Sequence, residues 1–344
     1  MKARADSQLV FLVGINVLVL LAATALSRGA FLDPFNLQSM GAQLPELGLL
    51  AIGVALAMIS GNGGIDLSGI ALANLSGVCA ALCVPHVVDA AASPWLFTVA
   101  FCAACVVVGM LGGVLNGLLI AHLGLTPILC TLGTQMLFTG ICVVVSDGVA
   151  VRVGSADPLL AIGDGVVLGV PIPFVVFCTV VVAVGAILKF SPFGLRLFLL
   201  GTNPKAARYA GLPLRRILLA TYASSGAIAG TAAVLIASRA VNVKWDYGQS
   251  YLLIAILIAV MAGVRPAGGY GRMSCLFFSA TALQLLSSML NFINVSNFLR
   301  DCAWGLLLLI FLASTRFEFR SLLARRPRNA DLPVQCPPAS TTNN

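Results

Sequence analysis

The segment KFSPFGLRLFLLGTNPKAARYAGLPLRR, residues 189–216, decides the topology of this chain because it separates two apolar runs of helical length. Its six basic residues stand without an acidic partner: Lys189, Arg196, Lys205, Arg208, Arg215 and Arg216. Only 9% of the chain is charged, so a cluster of this kind is not ordinary surface solvation. The segment therefore needs a specific role, which the runs around it help to define.

The composition indicates an integral membrane protein. Hydrophobic residues make up 59% of the chain, and its charged fraction is far below the roughly 25% of soluble domains. A helical span needs about 20 apolar residues, and ten such runs occur, at about 9–27, 41–60, 68–84, 95–121, 127–145, 165–188, 217–238, 250–264, 273–293 and 298–313. They are too long for barrel strands. The fold class predicted is all-α and polytopic, with about ten transmembrane helices.

The basic residues predict which side of the membrane each loop occupies. With both termini cytoplasmic, fifteen of the twenty Lys and Arg residues fall in inner segments and five in outer ones, as the positive-inside rule requires. The net charge of +8 is then explained by membrane lipid rather than nucleic acid. We expect residues 1–315 to form a transmembrane domain and residues 316–344 a basic, disordered cytoplasmic tail.

A polar break separates the second and third apolar runs. The sequence SGNGGIDLS, residues 60–68, places Asn62, Asp66 and Ser68 beside three glycines. Irregular backbone at membrane depth occurs where it lines a cavity or is buried in protein, and such breaks bind polar solutes in transporters. Alternatively, the segment is a short cytoplasmic turn in which Asp66 or Ser68 caps the next helix. The two interpretations are compatible.

Amide side chains inside other apolar runs are further candidates for a polar pathway. These are Asn116, Gln135, Gln284 and Asn291, although hydrogen bonding between helices explains any one of them without a solute. Glu46 lies near the outer end of the second run, where an interfacial position carries little cost. We predict a substrate pathway lined by Asn62, Asp66, Ser68, Asn116, Gln135 and Asn291.

Glycines and cysteines within the runs are predicted to be packing residues. Gly109 and Gly113 in the fourth run and Gly226 and Gly230 in the seventh follow a small-residue pattern that lets helices approach closely. Of the ten cysteines, all but Cys336 lie in or at the ends of apolar runs, which indicates neither disulfides nor a metal site.

Several catalytic motifs are absent from the sequence. It contains no G-x-x-x-x-G-K-[ST] phosphate-binding loop and no H-E-x-x-H zinc motif. No nucleophile with a neighbouring base is evident either. We therefore expect no catalytic residue, no metal and no bound cofactor, and we expect no ATP hydrolysis by this chain alone.

Within the basic segment, a short helix is predicted at residues 203–211. Asn203 suits the N-cap, Pro204 the first helical position and Gly211 the left-handed position after the last turn. Ala206, Ala207 and Ala210 provide a smooth surface flanked by Lys205 and Arg208. A helix this short is marginal in water, so it either docks on a partner or rests on anionic lipid.

Four ordered blocks of sequence resemble the permease subunits of bacterial ABC importers for ribose and other simple sugars. The resemblance covers about residues 35–313, and it rests on GGIDLS at 63–68, LTPILCTLGT at 125–134 with Gly140 and Gly148, FGLR at 193–196 with LGTNPKAARYAGL at 200–212, and AGGYGR at 267–272.

The resemblance implies a type II ABC importer-like bundle in the bacterial inner membrane. It also implies a coupling loop at about 189–216 whose helix rests on a separate ATP-binding subunit, which uses the ATP. The coupling residues would be Gly201, Asn203, Pro204, Ala206, Ala207, Arg208 and Gly211. A periplasmic sugar-binding protein would load the pathway, which two permeases, identical or homologous, would enclose.

A different transport mechanism remains as an alternative. A stand-alone secondary transporter or facilitator would use Asp66 as an ion-linked or proton-linked carboxylate. The inward-facing helix at 203–211 favours the ABC importer, and no internal inverted repeat is evident to support the alternative.

Overall fold

A computed structural model describes residues 2–324 and is built from helices. The described chain contains thirteen α-helices: α1 Lys2–Leu26, α2 Pro34–Ile59, α3 Gly69–Cys83, α4 Pro94–His122, α5 Pro127–Val145, α6 Asp157–Asp164, α7 Ile172–Phe190, α8 Pro192–Thr202, α9 Pro204–Tyr209, α10 Leu214–Ala240, α11 Tyr251–Met261, α12 Met273–Phe292 and α13 Asn297–Ala324. The only strands in this part are four of two residues, paired antiparallel as β1 Val151–Arg152 with β4 Asn242–Val243 and β2 Val166–Val167 with β3 Val170–Pro171. The prediction of an all-α fold is confirmed.

Eight helices within residues 2–324 are long and apolar enough to cross a membrane, which confirms the polytopic prediction. Helix α2 lies at the centre, with 83% of its most apolar stretch buried, whereas only 11% of the corresponding stretch of α1 is buried. Helix α1 therefore lies at the edge of the bundle. The predicted run at 298–313 lies within α13, which continues to Ala324. The rest of the predicted tail, residues 325–344, lies outside the described residues.

The predicted run at 250–264 contains only the eleven residues of α11. At 1.5 Å per residue this helix is about 16 Å long, roughly half of the hydrocarbon thickness. The preceding loop, residues 241–250, is held within the bundle by Asn74 of α3, whose amide donates to the carbonyl oxygens of Trp245 and Tyr247, both at 3.0 Å. A side chain of the bundle thus satisfies two backbone carbonyls of this loop, in which Val243 is buried while Val241 and Lys244 are exposed.

The run predicted at about 165–188 contains a span candidate, but its helix begins seven residues later than predicted. Residues 166–171 form the β2–β3 hairpin, and α7 begins at Ile172. Leu168 and Gly169 at the turn have φ angles of 52° and 84°. Positive φ at both central residues is typical of the type I′ turn that forms a two-residue hairpin loop. Valines populate both a strand and an apolar helix, so the composition of this segment did not reveal the hairpin.

Close contact between α4 and α10 depends on glycine, as the sequence pattern predicts. A Cβ atom on Gly109 would lie 2.3 Å from the carbonyl oxygen of Gly226, and one on Gly230 would lie 2.3 Å from that of Cys105. The two backbones therefore touch directly. This contact fixes α10, which carries one part of the site described next, against α4, which carries another.

Candidate functional site

The short helix α9 has the predicted caps. The side-chain oxygen of Asn203 accepts a hydrogen bond from the backbone N–H of Ala206 at 3.0 Å, and Pro204 occupies the first turn. At the other end Gly211 has a φ of 72°, and the N–H of Leu212 bonds to the carbonyl of Ala207 at 3.1 Å. Because both ends are satisfied, a helix of six residues persists at this position.

The outward face of α9 differs from the predicted one at Ala207. This side chain is only 4% exposed and belongs to the apolar core of its own chain, so it does not form part of an outward surface. Lys205, Ala206 and Arg208 are exposed. Tyr209, which sequence analysis did not select, is 93% exposed. The outward face is therefore a projecting aromatic ring with two basic neighbours.

A second helix, α8, precedes α9 and was not predicted. Ser191 caps it by accepting from the N–H of Gly194 at 3.2 Å, and Pro192 occupies its first turn. Gly194, Leu197 and Leu200 are buried at a helical spacing. A capping residue followed by proline is the start signal that predicted α9, and Ser191-Pro192 is a signal of the same kind, so α8 was predictable from the sequence.

Three glycine-containing segments meet beside α9 at what we call the glycine junction, formed by Gly61, Gly201, Gly268 and Gly269. A Cβ atom on Gly201 would lie 2.0 Å from the carbonyl oxygen of Ile59 and 2.4 Å from the nitrogen of Gly269. One on Gly268 would lie 2.3 Å from the Cα atom of Gly61. The end of α8, the end of α2 and the α11–α12 turn are therefore in backbone contact.

Hydrogen bonds reinforce the glycine junction. The N–H of Gly269 donates to the carbonyl of Ile59 at 3.0 Å, and the N–H of Gly63 donates to the carbonyl of Pro266 at 3.2 Å. Three of the sequence blocks that carry the resemblance thus converge at one end of the bundle, which we call the α9 end.

The break at residues 60–68, hereafter the break segment, carries a buried hydrogen-bond network. Asp66 accepts from the backbone N–H of Ser68 at 3.0 Å and from its hydroxyl at 2.7 Å, and its other oxygen accepts from Ser225 of α10 at 2.7 Å. Asn116 of α4 donates to the Ser68 hydroxyl at 2.8 Å and accepts from Thr134 of α5 at 2.6 Å. The network joins the break segment to three helices.

The capping role that the turn interpretation gives to Asp66 or Ser68 is not seen. Asp66 binds the N–H of Ser68, the residue before α3, and the Ser68 side chain makes no capping hydrogen bond to α3. Asp66 is buried within the bundle, as the interpretation of buried irregular backbone requires. Ser225 is eleven residues into α10, about 16 Å from the start of that helix at 1.5 Å per residue. The three donors that converge on Asp66 satisfy a buried carboxylate without a cation.

The other predicted pathway residues lie apart from this network. Asn62 is exposed at the turn of the break segment, with a φ of 57°. Gln135 is half-buried on α5, and its Oε1 atom is buried without a hydrogen bond. Asn291 is exposed near the end of α12, where it accepts from Arg300. The structure therefore brings together Asp66, Ser68 and Asn116 but not the remaining three.

A second buried carboxylate lies towards the opposite end of the bundle. Glu46 of α2 is 2% exposed rather than interfacial, and it forms an ion pair of 3.1 Å with Arg239 of α10. The hydroxyls of Tyr247 and Tyr251 donate to its other oxygen at 3.1 and 3.5 Å. Burial, with the Glu46 charge nearby, raises the pKa of Tyr247, so this hydroxyl remains a donor.

Comparison with known proteins extends over most of the chain. Residues 37–312 match the family described as "Branched-chain amino acid transport system / permease component". The ribose import permease protein of Bacillus subtilis is 29% identical over 301 residues, which cover 86% of this chain and 89% of that protein. The L-arabinose transport system permease protein of Escherichia coli is 28% identical over 300 residues, covering 87% and 88%.

A third relative is more similar over a shorter stretch. The autoinducer 2 import system permease protein of an Enterobacter strain is 31% identical over 272 residues, covering 77% of this chain and 79% of that protein. No solved structure matches the chain. The resemblance to import permeases is confirmed, and the chain belongs to the family of permease components of the branched-chain amino acid transport system type.

Proposed function

We propose that this chain is the membrane permease of an ATP-driven importer for a simple sugar or a related polyhydroxylated small molecule. The observation that carries the proposal is α9, a capped helix that projects Tyr209 from one end of the bundle, directly after α8, whose end contacts the break segment through the glycine junction. Two relatives are named for ribose and L-arabinose, which supports sugars as the substrate class.

The partner at the α9 end is a separate ATPase subunit in this proposal. The outward face of α9 offers one aromatic side chain, Tyr209, beside Lys205 and Arg208, and aromatic and Arg side chains are the usual anchors of protein interfaces. An apolar pocket with an acidic rim on the ATPase would complement this face. The permease contributes no ATP chemistry and binds no cofactor.

The α9 end is cytoplasmic in this proposal, together with both termini. The basic residues between α7 and α10 support the assignment through the positive-inside rule. The opposite end would receive sugar from a periplasmic binding protein, and anionic lipid would contact the basic loops. The protein would reside in the bacterial inner membrane.

The solute pathway would be enclosed by two permeases, two copies of this chain or this chain with a homologous one. Helix α5 is available for this contact, since its side chains Leu129 and Met136 are each 70% exposed. Gln135 lies on the same helix with an unpaired oxygen, and we retain it as a pathway residue. The comparisons do not favour a stand-alone transporter.

Proteoliposomes test the proposed function directly. They would contain this chain with the ATPase encoded beside it, and uptake of labelled ribose and L-arabinose would be measured with a loaded binding protein outside and ATP inside. We expect uptake of at least one sugar with ATP and none with ADP. Equal uptake from vesicles that lack the ATPase would overturn the proposal.

A further inference from the structure

We propose that the break segment transmits movement of α9 to the helices of the bundle, and that Asp66, Ser68, Asn116 and Ser225 are positioning residues for transport rather than solute ligands. The inference rests on the proposed function, because it assigns a path for the force that an ATPase would apply at α9. Two sets of contacts, one at each end of the break segment, support it.

The first half of the break segment is fixed to the α8–α9 region by backbone contacts. Gly61 lies between Gly201 and Gly268, where no side chain separates the three chains. Side chains can absorb a displacement by changing rotamer, whereas packed backbones cannot. A displacement of α8 and α9 therefore displaces the break segment as well. The α11–α12 turn, bound through Gly63 and Pro266, moves with it.

The second half is fixed to three helices by hydrogen bonds. Asp66 holds α10 through Ser225, and Ser68 holds α4 through Asn116, which in turn holds α5 through Thr134. The bond to α10 is made by the Asp66 carboxylate itself. The bond to α4 is made by the Ser68 hydroxyl, which also donates to Asp66. A break segment of nine residues therefore connects the α9 end to α4, α5 and α10.

The same groups are poorly placed to bind a sugar. Asp66, Ser68 and Asn116 are 2%, 0% and 0% exposed, and their polar atoms already bind one another. The cavity beside Asp66 and Ser225 has a volume of about 10 Å³, roughly the space of one water molecule. A monosaccharide does not fit, and each side-chain polar atom of Asp66, Ser68 and Asn116 already has a hydrogen-bond partner.

Adjacent serines on α10 provide a matched test. Ser225→Ala removes the α10 bond to Asp66, while Ser224→Ala removes a hydroxyl that donates only to Ala220 of its own helix at 2.7 Å. In the reconstituted system, uptake and ATP hydrolysis stimulated by the loaded binding protein are measured together. We expect the sugar taken up per ATP to fall about fivefold or more in Ser225→Ala, a size typical of coupling networks, with no change in Ser224→Ala.

The dependence of uptake on sugar concentration separates positioning from solute binding. Positioning predicts a lower maximal rate with the half-saturating concentration unchanged, whereas a solute ligand predicts the reverse, and that result would overturn the inference. Thr134→Val, which breaks the α5 end of the network, should repeat the result. If both variants fail to assemble with the ATPase, the network is a folding element and the inference is wrong.

Failure of this inference is distinct from failure of the proposed function. A wild-type protein without ATP-dependent uptake contradicts the proposed function before any variant is compared. A wild type that transports, with Ser225→Ala and Thr134→Val at the same uptake per ATP, contradicts the transmission role alone.

Discussion

The hydroxyl of Ser225 donates a hydrogen bond of 2.7 Å to Asp66, across 159 residues of sequence. This bond joins the break between α2 and α3 to α10, the helix that follows α9 in the chain. The neighbouring Ser224 bonds only within α10, so the two serines share a sequence context but not a role. The pair explains why sequence analysis selected Asp66 but not its partner Ser225.

We predict that Gly201→Ala destabilises the protein. The new Cβ atom would lie 2.0 Å from a carbonyl oxygen of α2, and backbone atoms cannot move aside as a flexible side chain does. Overpacking of this kind costs about 1–3 kcal/mol. The thermal unfolding midpoint of the purified protein should fall. Gly133→Ala is the control, since its Cβ would meet nothing within 4 Å, and equal midpoints for the two variants would contradict the junction.

The spans and the caps could be predicted from sequence because their causes are local. A bilayer requires continuous apolar runs, and each run corresponds to a helix, although the starts of α1, α2 and α7 and the end of α13 differ from the predicted ends by seven residues or more. Asn203, Pro204 and Gly211 act on backbone groups only a few residues away. Glycine pairs on α4 and α10 were also predictable, since small residues at helical spacing have few uses other than close packing.

The composition of the site could not be predicted in the same way. Ser225 and Thr134 are common residues in apolar helices, where their hydroxyls usually bond to the preceding turn. Glu46 was placed at the membrane interface because its cation, Arg239, lies 193 positions later in the sequence. Ala207 was placed on the wrong face of α9 because a two-turn helix of small residues has no amphipathic pattern. Each of these depends on contacts between distant segments.

We predict that Tyr209→Ala weakens binding of the ATPase. The ring is 93% exposed on α9, and the loss of an aromatic anchor typically costs about 2 kcal/mol or more, which corresponds to roughly a thirtyfold weaker affinity. Binding of purified ATPase to the immobilised permease measures this. Phe190→Ala, at the exposed end of α7 with 77% exposure, is the control. An affinity unchanged by Tyr209→Ala would exclude α9 as the docking element.

We predict that Asn203→Ala weakens coupling and that Asn203→Asp preserves it. The cap accepts a hydrogen bond from Ala206 at 3.0 Å, and its loss costs about 1 kcal/mol, enough to fray a helix of six residues. Asp retains the acceptor. Hydrogen exchange at residues 204–209 should accelerate in the Ala variant only, together with reduced uptake per ATP. Equal protection in all three proteins would show that packing alone maintains α9.

We predict that Arg239→Met is strongly destabilising, because it leaves the Glu46 carboxylate buried without its cation. Removing one partner of a buried pair costs about 3–5 kcal/mol, and the lower end applies here since Arg239 is 25% exposed. The double variant Glu46→Gln with Arg239→Met should recover much of the loss. Lys244→Met is the control, because its pair with Asp246 is exposed and worth less than about 1 kcal/mol. Similar unfolding midpoints for the two Met variants would contradict a structural ion pair.

The final prediction concerns Asp66: replacement by Asn should impair transport, whereas replacement by Ala should destabilise the protein. One oxygen of Asp66 receives the backbone N–H of Ser68, a donor that cannot reverse, whereas the other receives the Ser225 hydroxyl, which can turn to accept. Asn therefore fits with its oxygen towards Ser68 and its amide towards Ser225. It replaces hydrogen bonds to a charge, worth about 1.5–3 kcal/mol each, with neutral ones of about 0.5–1.5 kcal/mol.

Asp66→Asn should accordingly assemble with the ATPase and show reduced uptake per ATP, while Asp66→Ala, which leaves three donors unpaired in the bundle, should unfold at a clearly lower temperature. Vesicles without the ATPase separate this from an ion-linked role for the carboxylate. An ion-linked Asp66 would drive sugar uptake in those vesicles with the wild type and lose it with Asn. If Asp66 is a positioning residue, neither the wild type nor Asp66→Asn transports sugar in vesicles without the ATPase, because the network then acts only when ATP hydrolysis moves α9.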